Sequence, residues 1–397
     1  MDSLKTNRRK WLKTSALTVG GIVAAPYLGF SKTPSVPLTL DSDGNAIYNA
    51  FFKEFIPDNL REFPVYSAKL NANENPYGAS PMALEALKNS AFGSNRYAWK
   101  ELYQLVDKIA AFEEVTPENI MMGPGSSDLL EKTAMVLFMN GGNVISADPA
   151  YMSLIRVAEA AGGTWKPVPL KKDWSHDLEA MEKAIDSETK LIYICNPNNP
   201  TGTITDSEAL LDFCSRVSEK VPVFIDEAYL WFLEDGARQS MVSLVKEGKD
   251  VIVARTFSKI HGMAGLRVGY AVAQEDTLNK LQKITRAGMG ITHPSVYAAM
   301  AAMDDTEFLQ KSRTLNATAR NYTFSSLQEI GFEPVPSHTS FMIFPIDMEG
   351  KEFLNKMTQQ KVGVRAFQFL DQKWCRVSIG TMDEMQLFIQ AINKVLV

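Results

Sequence analysis

An α/β fold, with a mostly parallel sheet covered by helices on both faces and a smaller α+β unit behind it, is predicted by three features of the 397-residue chain. Short β-rich runs alternate with helical patterns through the first two thirds, the order of repeated strand–helix units. Those runs are apolar throughout rather than alternating, as strands buried on both faces require. Beyond His293 the pattern changes to a long helical stretch followed by two short apolar runs.

In chain order, the first stretch reads TNRRKWLK and is followed by an uncharged run from 14 to 31 rich in Ala, Gly, Val and Leu. Basic, apolar and small-residue regions in that order are the layout of an export signal. The paired Arg8 and Arg9 resemble the twin-arginine type, with Trp11 where Phe is more usual. That implies the twin-arginine export machinery as a partner and the periplasm as destination. Ala24 and Ala25 precede Pro26 without a clean small-x-small cleavage motif, so a retained membrane anchor is the alternative.

Pro34 and Pro37 among Ser and Thr read as a linker. Helices are expected at 82–88, 102–111, 128–139, 154–161 and 207–218, and strands at 143–147, 191–195, 221–226 and 251–254. One longer helical pattern runs from 293 towards 330, then strands at 340–344 and 374–379, and a closing helix at 383–396. The division that follows is a signal at 1–32, a linker and N-terminal arm at 33–78, a large domain at 79–291 and a small domain at 292–397.

Lys plus Arg number 41 against 46 Asp plus Glu, a net charge of −5 that argues against a nucleic-acid partner. Three cysteines without CxxC spacing and four histidines indicate neither a disulfide framework nor a metal site.

Chemistry concentrates in TFSKIHGMAGLRVGY. Alone, Lys259 reads as a solvated surface lysine. With the Ser258 hydroxyl, the Arg267 cation and several glycines around it, its amine suits the capture of a phosphorylated aldehyde as a Schiff base. Asp226 ends the apolar run VPVFID, where parallel sheets present catalytic groups, though a helix N-cap reads the same way. A carboxylate there keeps a nearby pyridine nitrogen protonated, while Tyr229 and the Asn199 amide of NPNNPTG suit a phenolic oxygen. That loop is also an ordinary turn by composition. GPGSSD, with Gly125, Ser126 and Ser127, opens a helix and fits either a phosphate cradle or a plain capped start. Tyr151 fits a ring stack or a packed loop aromatic.

Together these segments resemble the pyridoxal-phosphate-dependent aminotransferases of class I and II, fold type I, above all the histidinol-phosphate aminotransferase branch. LNANENPYG, NPNNPTG, DEAY, SK with LRVGY, and RVSIG stand in that family's order from about Leu70 to Gly380. The resemblance implies pyridoxal 5′-phosphate as cofactor and a seven-stranded-type large sheet. It makes Lys259 the Schiff-base lysine, Asp226 the partner of the pyridine nitrogen, and Tyr229 and Asn199 the partners of the phenolic oxygen. Gly125, Ser126, Ser127, Ser258 and Arg267 would hold the phosphate and Tyr151 the ring, with Tyr97 reaching the neighbouring subunit of a homodimer. Arg376 would grip the substrate carboxylate, a task suited to a bidentate guanidinium. Arg365 would meet a substrate phosphate or side-chain carboxylate, and Asn73 and Tyr77 would line the substrate pocket.

The implied reaction is ping-pong transfer of an amino group between an amino acid, or a histidinol-phosphate-like amine, and a 2-oxo acid. Decarboxylation of a phosphorylated amino acid uses the same core residues and stays open as the alternative. An export signal is out of place on a cytoplasmic histidine-synthesis enzyme, and the fold alone does not fix the substrate.

Overall fold

The computed structural model describes residues 39–57, 64–283 and 288–396. The expected export signal lies outside the described residues. Three short strands come first, β1 (Thr39–Leu40), β2 (Ala46–Ile47) and β3 (Lys53–Phe55), then β4 (Ala68–Lys69) and the helices α1 (Pro81–Ser90) and α2 (Trp99–Glu113). A layered unit follows: β5 (Ile120–Gly123), α3 (Ser126–Phe138), β6 (Asn143–Asp148), α4 (Ser153–Ala160), β7 (Thr164–Pro169), α5 (Leu178–Lys183), β8 (Thr189–Cys195), α6 (Ser207–Val217), β9 (Val223–Asp226), α7 (Val242–Lys246), β10 (Val251–Thr256), β11 (Gly269–Val272) and α8 (Glu275–Gln282). The remainder is α9 (His293–Asp304), α10 (Thr306–Glu329), β12 (Phe341–Ile346), α11 (Gly350–Gln359), β13 (Val362–Gly363), β14 (Arg365–Phe369), β15 (Gln372–Ser378) and α12 (Met382–Leu396).

Seven strands form the large sheet in the order β5-β11-β10-β9-β8-β6-β7. The run from β10 to β7 is parallel, while β11 is antiparallel to both its neighbours. The middle strands are buried almost without exception, as in LIYIC of β8, because helices cover both faces. β7 carries Pro167 and Pro169 and sits at the edge, where a missing N–H breaks no ladder bond. Asp206 caps α6 by accepting the Ala209 N–H at 2.9 Å.

The second sheet is antiparallel, in the order β1-β2-β3-β14-β15-β12, with α10, α11 and α12 packed against this part of the chain. Residues expected only as an arm thus extend a sheet whose other strands lie some 300 residues later. Apolar burial explains the attachment. Phe52 is 2% exposed and joins Phe367, Phe369 and Trp374 in one core cluster, a burial that contributes roughly 2–3 kcal/mol.

The long helical pattern from 293 towards 330 is in fact two helices. Asp305 leaves the helical conformation (φ −87°, ψ 68°), and its carboxylate caps α10 by accepting the Phe308 N–H at 3.1 Å.

Candidate active site

Connections leaving the ends of β5, β6, β8, β9 and β10 converge on one crevice, the place where parallel sheets present their functional groups. Asp226 ends β9 with 3% exposure, and its Oδ1 accepts the Ala228 N–H at 3.1 Å. Burial pushes its carboxyl up to about 6, opposed by that N–H and by Lys259. Lys259 follows β10 and points its amine into the crevice. Its Nζ donates to the Asn73 carbonyl at 3.1 Å and lies 5.4 Å from the centroid of the Tyr229 ring. Desolvation lowers this amine to about 8, with Tyr151 and Asp226 pulling the other way and Arg376 adding to the drop.

Asn73 binds with all four of its polar groups. Held in the left-handed region at φ 51°, it donates its N–H to Ser378 Oγ at 2.8 Å and accepts the Ser378 hydroxyl on Oδ1 at 2.9 Å. Its Nδ2 donates to Tyr229 Oη at 3.1 Å, and its carbonyl takes the Lys259 bond. Ser378 therefore belongs to the site, although RVSIG had pointed only to Arg376.

An anion cradle stands beside the lysine. Gly125, at φ 88°, immediately precedes α3, and a Cβ there would collide with the Arg267 guanidinium. A Cβ on Gly269 would stand 2.5 Å from the Ser126 nitrogen. Only glycines let these segments approach so closely. Arg267 donates from Nη1 to Ser258 Oγ at 3.0 Å and from Nη2 to the Pro124 carbonyl at 3.2 Å, and Ser127 Oγ lies 3.4 Å from Tyr151 Oη. Hydroxyls, a guanidinium and the unpaired N–H groups of a 13-residue helix thus face one space, which fits a phosphate ester.

On the opposite wall, Arg376 is 4% exposed. Its Nη1 donates to Asn199 Oδ1 at 2.8 Å, which leaves the Asn199 amide nitrogen to donate elsewhere. Its Nε is buried without a hydrogen-bond partner, and the guanidinium lies 5.4 Å and 5.3 Å from the ring centroids of Phe341 and Phe367. Burial and the neighbouring Arg365 lower it to about 10.

Arg365 has a partner that sequence reasoning missed. Its Nε donates to Glu54 Oε1 at 2.6 Å, its Nη2 bonds the same oxygen, and Tyr48 Oη donates to Glu54 Oε2 at 2.7 Å. A glutamate inside the aromatic stretch YNAFFKEF was the available signal, since a charge carried into an apolar strand needs a partner. Tyr77 is partly buried, its N–H donating to Asn75 Oδ1 at 3.0 Å, and it makes no hydrogen bond with Lys259, Asp226 or Arg376. Tyr97 is 76% exposed and meets the ring of Trp99 at a centroid distance of 5.8 Å.

Residues 67–392 match the family model described as Aminotransferase class I and II. This chain belongs to that family. It is 33% identical over 329 residues to the histidinol-phosphate aminotransferase of Caldicellulosiruptor saccharolyticus, covering 83% of this chain and 91% of the relative. Histidinol-phosphate aminotransferase 2 of Hydrogenovibrio crunogenus is 35% identical over 331 residues, covering 83% and 88%. The crystal structure of histidinol-phosphate aminotransferase from Sinorhizobium meliloti in complex with pyridoxal-5′-phosphate superposes with a TM-score of 0.77 at 28% identity, over 83% of this chain and 90% of that one. The aminotransferase described here is accordingly a fold type I enzyme that uses pyridoxal 5′-phosphate, and its crevice has the groups such a cofactor needs. Asp226 offers a carboxylate to a ring cation, the cradle takes a phosphate, and the Lys259 amine suits an aldehyde.

Proposed function

We propose that this aminotransferase works from the crevice at Lys259, moving an amino group between an amino acid and a 2-oxo acid in two half-reactions. The observation that carries the assignment is the Lys259 amine, desolvated in a crevice that also holds the Asp226 carboxylate and the cradle of Ser126, Ser127, Ser258 and Arg267. When bound, pyridoxal phosphate supplies the electron sink for the pair left behind as the α-C–H bond breaks. The protein does the rest. Asp226 favours a proton on any ring nitrogen beside it, because opposite charges at short range stabilise each other. Tyr229 and the amide nitrogen of Asn199 would hold a phenolic oxygen by donating to it, and Tyr151 would pack on the ring. Arg376 takes the substrate carboxylate, and this orients the α-hydrogen towards Lys259 Nζ, which removes it as general base.

The test is a visible spectrum of the holoenzyme against a panel of amino acids. One amino acid should bleach the cofactor band and an oxo acid should restore it, while Lys259→Ala abolishes turnover. Turnover in that variant at the wild-type rate would sink the assignment.

The basic and apolar order of the first 31 residues supports a twin-arginine-type signal and a periplasmic enzyme exported already folded. Replacing Arg8 and Arg9 together by Lys should hold the enzyme in the cytoplasm, and an unaltered fractionation would remove the signal. Exposed Phe92, Tyr97, Trp99 and Tyr103 lie close in sequence and support a homodimer whose second copy covers them. Sedimentation of the purified enzyme at monomer mass would remove the dimer.

A further inference from the structure

The N-terminal segment bridges the two sheets at the substrate side of the crevice. β3 lies beside β14, with Glu54 directly opposite Phe367 and hence diagonal to Arg365 on the same face. Asn49 Nδ2 donates to Asp148 Oδ2 at 2.8 Å, tying the segment to the end of β6 just before Tyr151. The ring of Tyr48 sits 4.8 Å from the Arg156 guanidinium on α4. This segment precedes the family-matched residues, which begin at 67. Its carboxylate nevertheless reaches the arginine beside Arg376.

Resting on the transamination reading above, we propose that Glu54 is a specificity-determining residue that occupies Arg365 and restricts the enzyme to amino acids with one carboxylate and an uncharged side chain. Arg376 retains a buried unpartnered Nε for the substrate's α-carboxylate. Arg365 is instead engaged before any substrate arrives: two of its nitrogens bond Glu54, whose side chain is 7% exposed and whose second oxygen is held by Tyr48. A substrate phosphate or second carboxylate would have to meet Arg365 with Glu54 already on it, bringing two anions to one guanidinium whose charge Glu54 already balances. An uncharged side chain meets no such repulsion.

The experiment is a set of kcat/KM values for full-length holoenzyme with phenylalanine, leucine, glutamate and histidinol phosphate. Three proteins are compared: wild type, Glu54→Gln, and Glu54→Gln combined with Arg365→Gln. Wild type should favour phenylalanine or leucine over both dianionic substrates. Glu54→Gln should raise the dianion-to-neutral ratio on the order of 100-fold, because an arginine left without its carboxylate recruits another. The double variant should return the ratio towards wild type. Preference of the wild type for glutamate or histidinol phosphate overturns the proposal without needing a variant to fold, and so does a ratio unmoved by Glu54→Gln. Absence of turnover with every amino donor would instead overturn the transamination reading itself, and this inference with it.

Discussion

Arg365 and Arg376 stand directly opposite each other in the antiparallel register of β14 and β15. Like charges in that position destabilise a sheet unless something intervenes. Here Glu54 neutralises the first, and the second is left buried with its Nε unpartnered. The sheet thus separates two chemically identical groups into one that is paired and one that is held for a ligand.

Arg376→Ala should therefore lower kcat/KM for an α-amino acid about 100-fold, the scale of losing a charge-assisted bidentate contact. An amine with the same side chain but no carboxylate should lose far less. Steady-state kinetics on such a pair would decide it, and equal losses for both compounds would remove the carboxylate role.

Much of the large sheet was legible because its central strands are uninterrupted apolar runs ending in turn residues, as LIYIC before NPNNPTG. β5 and β11 are four residues each, too short for periodicity to single out, and the two prolines hid β7 until its edge position explained them. The helical period runs across Asp305 without a visible break, since an N-cap aspartate also fits a solvent-facing helix position. For the site, the conspicuous motifs located Lys259, Asp226, Asn199 and Arg376. Glu54 is visible only as a charge in an aromatic stretch that needs a partner; which partner was out of reach, because the pairing with Arg365 spans 311 residues and no local pattern carries such a distance. Ser378 was missed for a related reason: its hydroxyl matters only once Asn73 adopts its left-handed backbone.

Lys259 should be unusually reactive in the cofactor-free protein. Its amine is lowered to about 8 by desolvation, so the unprotonated form gains population as pH rises through that value rather than near 10.5. Labelling by an amine-directed reagent, quantified at this residue by mass spectrometry across pH, should show a midpoint near 8. A midpoint at the ordinary lysine value would mean the amine is solvated.

Asp226 makes the opposite prediction for stability. Its carboxyl rises from 3.8 to about 6 through burial, so the folded cofactor-free chain binds this proton more tightly than the unfolded one. The cost of the buried charge is absent below about pH 4 and complete above about pH 6. Asp226→Asn should then stabilise the cofactor-free protein by about 3 kcal/mol at neutral pH, with the gain vanishing as acid is added. Denaturant titrations at several pH values check this. Added pyridoxal phosphate should reverse the order, because only the carboxylate can pair with a ring cation.

Ser378→Ala tests whether Asn73 is positioned or merely packed. The hydroxyl both accepts the Asn73 N–H and donates to Asn73 Oδ1, so its loss leaves a buried N–H unpaired and releases the amide to rotate. The first effect costs about 1–3 kcal/mol of stability and would follow from any structural role. The second is specific to the site. A rotated amide withdraws Nδ2 from Tyr229, and a shifted backbone withdraws the carbonyl that holds Lys259. Losing an acceptor for the ammonium form should move the Lys259 labelling midpoint downward from about 8, since the charged state is no longer hydrogen-bonded. Ser378→Thr keeps the hydroxyl and should restore both the midpoint and kcat. If Ser378→Ala lowers stability while the midpoint and kcat stay where they are, Ser378 is a packing residue and Asn73 holds its place by other means.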